Sequence, residues 1–177
     1  MTRKKIKDLV MMGVCLALIV VCSKISVPVG IVPMTLQTFA VFICSLILGW
    51  KASIVLVLYT ILGLIGLPVF SSGGGFAYVY APSFGFIIGF IPASVVIGIA
   101  NNKEVIYLKY ITSLIGLIII YLVGVIYMYL IYKYYMGATK DFVTIIQIAV
   151  LPFIIKDILV MVASCLIYSR IKVIMID

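Results

Sequence analysis

The chain contains no histidine, one tryptophan and only five acidic residues among 177. Without histidine there is no imidazole base, no Ser-His or Cys-His couple and no imidazole metal ligand, and the sparse carboxylates form no pair in the sequence. The four cysteines, Cys15, Cys22, Cys44 and Cys165, fall inside apolar segments without CxxC spacing. They read as small packing residues, not as a zinc or redox centre. An enzyme would therefore lack its acid-base and nucleophilic machinery, and neither a metal nor a cofactor is expected. Charged residues are also scarce, at 10%, too few to cover a water-facing surface.

What is present is apolar: 66% of the residues are hydrophobic. A spanning helix needs about 20 mostly apolar residues, so this length allows about six spans with short connections and no soluble domain. The expected fold is an all-α integral membrane protein of six transmembrane helices, forming one membrane domain over residues 1–177. The apolar runs place the helices at about 6–24, 34–49, 52–67, 83–100, 105–135 and 152–171. Arg3, Lys4, Lys5 and Lys7 before the first run resemble a signal peptide's basic start, but no small-residue cleavage pattern follows, and a retained first helix is expected. Pro28, Gly30 and Pro33 predict an irregular link from Ser26 to Pro33. The fifth run exceeds a bilayer's thickness and predicts tilt or projection; Thr139 to Val150 reads as a short interfacial element.

The net charge of +8 does not make a nucleic-acid surface, because the basic residues are scattered between apolar segments. Their distribution orients the helices instead. Six spans put Arg3, Lys4, Lys5, Lys7, Lys51, Lys103, Lys109, Arg170 and Lys172 on one side and Lys24, Lys133 and Lys140 on the other. That asymmetry predicts cytoplasmic termini.

Three polar, irregular features then meet on the outer side: the run Val32 to Thr38, the Gly-rich stretch after Pro68, and the start of the sixth helix. Irregular backbone at membrane depth persists only where protein or a water-filled cavity satisfies it, so a small-molecule pocket open to the outside is expected. Asp157 lies within the sixth apolar run, where a carboxylate faces a partner or a substrate path; the alternative is that it complements the positive end of its helix. Thr35, Gln37 and Thr38 read either as a helix cap or as ligand contacts, and a cap does not account for Gln37. Ser71-Ser72-Gly73-Gly74-Gly75 lacks the Gly-Lys-Ser/Thr ending of a Walker loop, which leaves close backbone approach to a ligand or a hinged lid. Tyr78, Tyr80, Tyr121, Tyr127 and Phe84 suit either a pocket wall or an interfacial belt. Gly13 and Ala17 form a small-xxx-small pair that lets another helix approach.

Pro33-Met34-Thr35-Leu36-Gln37-Thr38 and Gly63-Leu64-Ile65-Gly66-Leu67-Pro68-Val69-Phe70, with the Ser/Gly-rich stretch that follows, resemble BioY, the biotin-binding subunit of energy-coupling-factor (ECF) vitamin transporters. The similarity continues through Pro82, Gly85, Phe86 and Ile88-Gly89-Phe90 to Gly124, Pro152-Phe153 and Asp157. The resemblance implies a substrate-capture (S) component that takes biotin from outside, served by a transmembrane coupling protein and two cytoplasmic ATPases, with biotin as ligand and no cofactor. It implies a substrate-binding set of Thr35, Gln37, Gly74, Tyr78, Ser83, Phe84, Tyr121, Lys156 and Asp157, and docking of the coupling protein at Gly13 and Ala17.

Two departures bear on the pocket. The family's Pro-Gly-Asp-x-x-Lys reads Ile155-Lys156-Asp157-Ile158-Leu159-Val160 here, so Val160 stands where Lys is expected, and Lys156 lies about 100° around the helix from Asp157. The family's Gly-Pro-Thr-Gly-Gly reads Ala81-Pro82-Ser83-Phe84-Gly85, with an aromatic at a small position. With biotin as ligand, Asp157, Gln37 or Thr35 is expected at the ureido group and Lys156 or backbone N–H groups at the carboxylate. A lipoate-like acid fits nearly the same description. A secondary transporter or channel is the other class, but no internal repeat and no relay of intramembrane charges supports it.

Overall fold

A computed structural model describes residues 3–29, 32–101, 105–137 and 141–176. Gly30, Lys103, Thr139 and Lys140, named above, lie outside the described residues. The chain folds as α1 (Arg3–Lys24), β1 (Ser26–Val29), β2 (Val32–Thr35), α2 (Gln37–Leu48), α3 (Lys51–Leu64), a 3-10 turn (Phe76–Tyr80), α4 (Phe84–Gly98), α5 (Ile106–Tyr134), α6 (Phe142–Ala149) and α7 (Leu151–Ile176).

Three helices, α1, α5 and α7, carry apolar stretches long enough to cross a membrane. The others are short: α2, α3 and α4 have 12, 14 and 15 residues, about 18 to 23 Å at 1.5 Å per residue against a hydrocarbon core near 30 Å. In all three the missing length lies at the same end of the bundle. There the hairpin leads into α2, and the Gly-rich stretch with its 3-10 turn connects α3 to α4.

The link expected to be irregular is an antiparallel hairpin, and the second helix starts at Gln37 instead of Met34. Two prolines in four-residue strands hide the pattern. Pro28 faces Pro33 across the ladder, so the two missing N–H groups fall at one shared rung of a two-stranded ribbon, where the outer edges allow it. The segment before the last helix forms the short α6, and α7 runs on to Ile176. Near the hairpin end of the bundle α4 and α5 pack at backbone distance: a Cβ on Gly85 would stand 2.3 Å from Tyr127 Cβ, and one on Gly124 2.4 Å from the Phe86 ring. Phe86 and Tyr121 pack against both hydrophobic clusters of the bundle, one centred on α1 to α4, the other on the hairpin, α5 and α6.

Candidate functional site

Asp157 sits in the second turn of α7 and is buried. Three groups from three elements meet it. Thr38, one residue into α2, donates to Oδ1 at 2.8 Å; Tyr121, in the middle of α5, donates to Oδ2 at 2.7 Å; Lys156 Nζ lies 2.7 Å from Oδ1. A buried carboxylate is stable only with such compensation, and charge-assisted bonds of this length are the stronger kind.

Lys156 departs from what helix geometry alone suggests. Its Cα is turned away from that of Asp157, yet its flexible stem swings back, drawn also by the Thr35 carbonyl at 2.8 Å and the Thr38 hydroxyl at 3.3 Å. The cation therefore joins α7 to the end of the hairpin and to the start of α2. Thr35 has a second task, since its hydroxyl accepts the Gln37 N–H at 3.3 Å and so satisfies the first amide of α2.

Two small chambers adjoin this network. One, of about 60 Å³, is bounded by Thr38, Tyr121, Phe153, Lys156 and Asp157. The other, of about 50 Å³, is bounded by Gln37, Ser71, Tyr78 and Ser83. Val32, Pro33, Thr35, Phe86 and Phe90 line both, as a shared wall. The first chamber holds one cation and one anion; the second is polar but uncharged.

Gln37 is 4% exposed, and its Nε2 is the one buried side-chain nitrogen or oxygen without a hydrogen-bond partner among the described residues. Buried donors are nearly always paired, and the Tyr59 hydroxyl is the polar side-chain group beside this one. Of the other expected residues, Tyr78 and Ser83 line the uncharged chamber and Tyr121 the charged one. Gly74 and Phe84 line neither. A Cβ on Gly74 would stand 2.1 Å from the Leu67 carbonyl oxygen, so its smallness serves packing of the loop on itself. The Phe84 ring is buried among Phe70, Tyr78 and Tyr127 and supports the chamber from behind.

The sequence matches the BioY family over residues 1–177. The chain belongs to that family. Its relatives include the "Probable biotin transporter BioY" of Pyrococcus horikoshii, 38% identical over 170 residues that cover 95% of this chain and 98% of that one. The "Biotin transporter BioY" of Thermotoga maritima is 35% identical, with 94% and 96% covered. Among solved structures, the S-component for biotin from an ECF-type ABC transporter superposes with a TM-score of 0.83 at 25% identity, covering 97% of this chain and 94% of that chain. BioY proteins are transporter components, not enzymes, and the fold of this one is that of an ECF S-component.

In this BioY chain Thr38, read from sequence as either a cap or a ligand contact, serves as neither within the chain: its hydroxyl bridges Lys156 and Asp157. The available signal is the polar run itself: Thr35 ends β2 and Thr38 opens α2, and both meet Lys156. Gly13 and Ala17 lie on an exposed face of α1, and a Cβ on Gly13 would meet nothing within 4 Å. That face has no partner within the bundle.

Proposed function

We propose that this protein is the substrate-capture component of an ECF-type importer and binds biotin from the extracellular side. In this reading six helices cross the membrane with both termini in the cytoplasm, the short α2, α3 and α4 completing their crossings through non-helical backbone. A transmembrane coupling protein docks on the Gly13 and Ala17 face of α1, and two cytoplasmic ATPases supply the energy.

The observation that carries the reading is the buried Asp157 with Lys156, Thr38 and Tyr121, set against two chambers that share an apolar wall. Biotin has the matching form, a compact polar ring system joined by an apolar chain to a carboxylate. The charged chamber, with Lys156, Thr38 and Tyr121, suits the carboxylate, because an ion in the uncharged chamber would lack compensation. The uncharged chamber, with Gln37, Tyr78 and Ser83, suits the ureido ring, whose carbonyl supplies the acceptor that Gln37 lacks. Thr35 lies at the boundary, and Asp157 holds the cation and both hydroxyls in place. Each chamber is small beside the roughly 300 Å³ of an ordinary ligand pocket, so binding moves the shared wall of Val32, Pro33, Phe86 and Phe90.

Isothermal titration of the detergent-purified protein with biotin, with lipoate as comparator, tests this. Saturable biotin binding and little response to lipoate are expected. Binding of lipoate alone would overturn the substrate assignment.

A further inference from the structure

A second cavity lies at the other end of the bundle from Asp157, where α2 turns into α3. It is a half-open groove of about 580 Å³, lined by the start of α1, the turn between α2 and α3 and the end of α4. Its rim is polar. Lys7 and Lys51 face it with Asp8 and Asn101; Lys51 Nζ meets Asp8 Oδ2 at 2.5 Å, and Asn101 Nδ2 donates to the Ile47 carbonyl at 2.6 Å, fixing the turn. Its walls are apolar, formed by Met11, Leu48, Val95 and Ile99. Trp50, the single tryptophan of the chain, stands beside it and is 61% exposed.

We propose that this cavity binds an anionic phospholipid, with the headgroup phosphate between Lys7 and Lys51 and the start of an acyl chain along Met11, Val95 and Ile99. Four observations point to that occupant. Two ammonium groups face one carboxylate, so the rim carries excess positive charge, and exposed Arg3 and Lys5 on the same stretch of α1 add to it. Basic pockets between helices at the membrane surface are sites of this kind. Polar rim and apolar wall follow one another in the order of headgroup and chain, and Val95 and Ile99 are 42% and 56% exposed, open to the hydrocarbon side. An exposed tryptophan belongs at the headgroup level.

The charge of the rim selects the headgroup whichever leaflet the cavity faces. The surface is also distinct from the one assigned to the coupling protein. On α1, Lys7, Asp8 and Met11 lie within about 100° of one another, and the face of Gly13 and Ala17 is centred roughly 150° away around the helix.

The test uses delipidated, detergent-purified protein incubated with phosphatidylglycerol or phosphatidylcholine, the retained lipid being counted by native mass spectrometry. Wild type is expected to keep one phosphatidylglycerol in clear preference to phosphatidylcholine. Lys7→Gln with Lys51→Gln is expected to lower that occupancy by about fivefold per lysine removed. Because Lys51→Gln also removes the ion pair between Lys51 and Asp8, Lys51→Arg serves as the charge-keeping control and is expected to retain the lipid. Ile99→Trp, which fills the wall without touching the charges, is expected to lose it. Equal retention of the two lipids by wild type, or undiminished phosphatidylglycerol on the double variant, would overturn the proposal. So would displacement of the lipid by added coupling protein, which would make the cavity part of that partner's footprint.

Discussion

Replacing Gln37 with Met separates the two consequences of an orphaned donor. Methionine is unbranched and close to glutamine in length, so it fills the same space with no amide. In the empty protein the Gln37 Nε2 is buried without a partner, a state that costs about 1–3 kcal/mol. Removing the amide relieves that penalty, and the empty variant is expected to unfold at a higher temperature than wild type. The ligand tells the opposite story, because a ureido carbonyl that reaches this position in wild type finds no donor in the variant. The same range then appears as lost affinity, a rise in biotin Kd of roughly 5- to 150-fold at 1.4 kcal/mol per tenfold. Lipoate, whose ring carries no such acceptor, should bind the variant at least as well as it binds wild type. Thermal unfolding of the detergent-purified proteins and titration with both acids measure the two effects. A variant that is less stable when empty, or that binds biotin within twofold of wild type, would refute the reasoning. An equal loss for both acids would place Gln37 at their common carboxylate tail instead.

Asp157→Asn keeps the shape but leaves Lys156 partly buried without its counter-ion and puts an amide N–H donor where an acceptor met Thr38 or Tyr121; biotin affinity should fall by more than about tenfold and thermal stability should drop, since breaking a buried pair costs about 3–5 kcal/mol. Undiminished biotin affinity in that variant would remove Asp157 from the site. Tyr121→Phe deletes only the 2.7 Å bond to Asp157 Oδ2; a smaller loss, about 1.5–3 kcal/mol in stability, is expected in an unfolding titration. Gly13→Leu with Ala17→Leu alters an exposed face on which a Gly13 Cβ meets nothing. Biotin titration should be unchanged while co-purification of the coupling protein and ATPases is lost, and retention of the whole complex would move the docking face elsewhere.

What could be read from sequence was whatever composition and local spacing decide. The apolar runs locate every long helix, and Asp157 stands out because a carboxylate among apolar residues is rare wherever the chain folds. The hairpin was not legible, since Pro28 and Pro33 argue against strands until they are seen opposite one another. The Lys156–Asp157 contact was hidden for another reason. Neighbouring residues on a helix point apart, and only the Thr35 carbonyl and the Thr38 hydroxyl, brought in by a different element, bend the lysine back. Phe84 shows the converse: its position beside the family's Gly-rich motif suggests a pocket wall, yet the ring faces Phe70, Tyr78 and Tyr127.

The short helices explain why the polar side chains lie where they do. Stopping α2, α3 and α4 early leaves non-helical backbone near the depth of the membrane, where an unsatisfied carbonyl or amide costs several kcal/mol. Part of the demand is met locally, by the β1–β2 ladder and by the Gly75 N–H bonded to the Gly63 carbonyl at 2.7 Å. Side chains from the long and short helices alike meet more of it. Ser23 and Tyr59 both donate to the Val69 carbonyl, Lys24 to that of Phe70, Tyr127 to that of Val79 and Lys156 to that of Thr35. These five donors are thus engaged in holding the loops, and each can reach a ligand only by giving up a carbonyl. Gln37 is different. Its side chain lines the uncharged chamber and its buried amide nitrogen holds no carbonyl, so an acceptor that reaches that nitrogen gains a hydrogen bond without taking one from a loop. That makes Gln37 the position where a ligand's chemistry, rather than the loop's own needs, decides the binding energy.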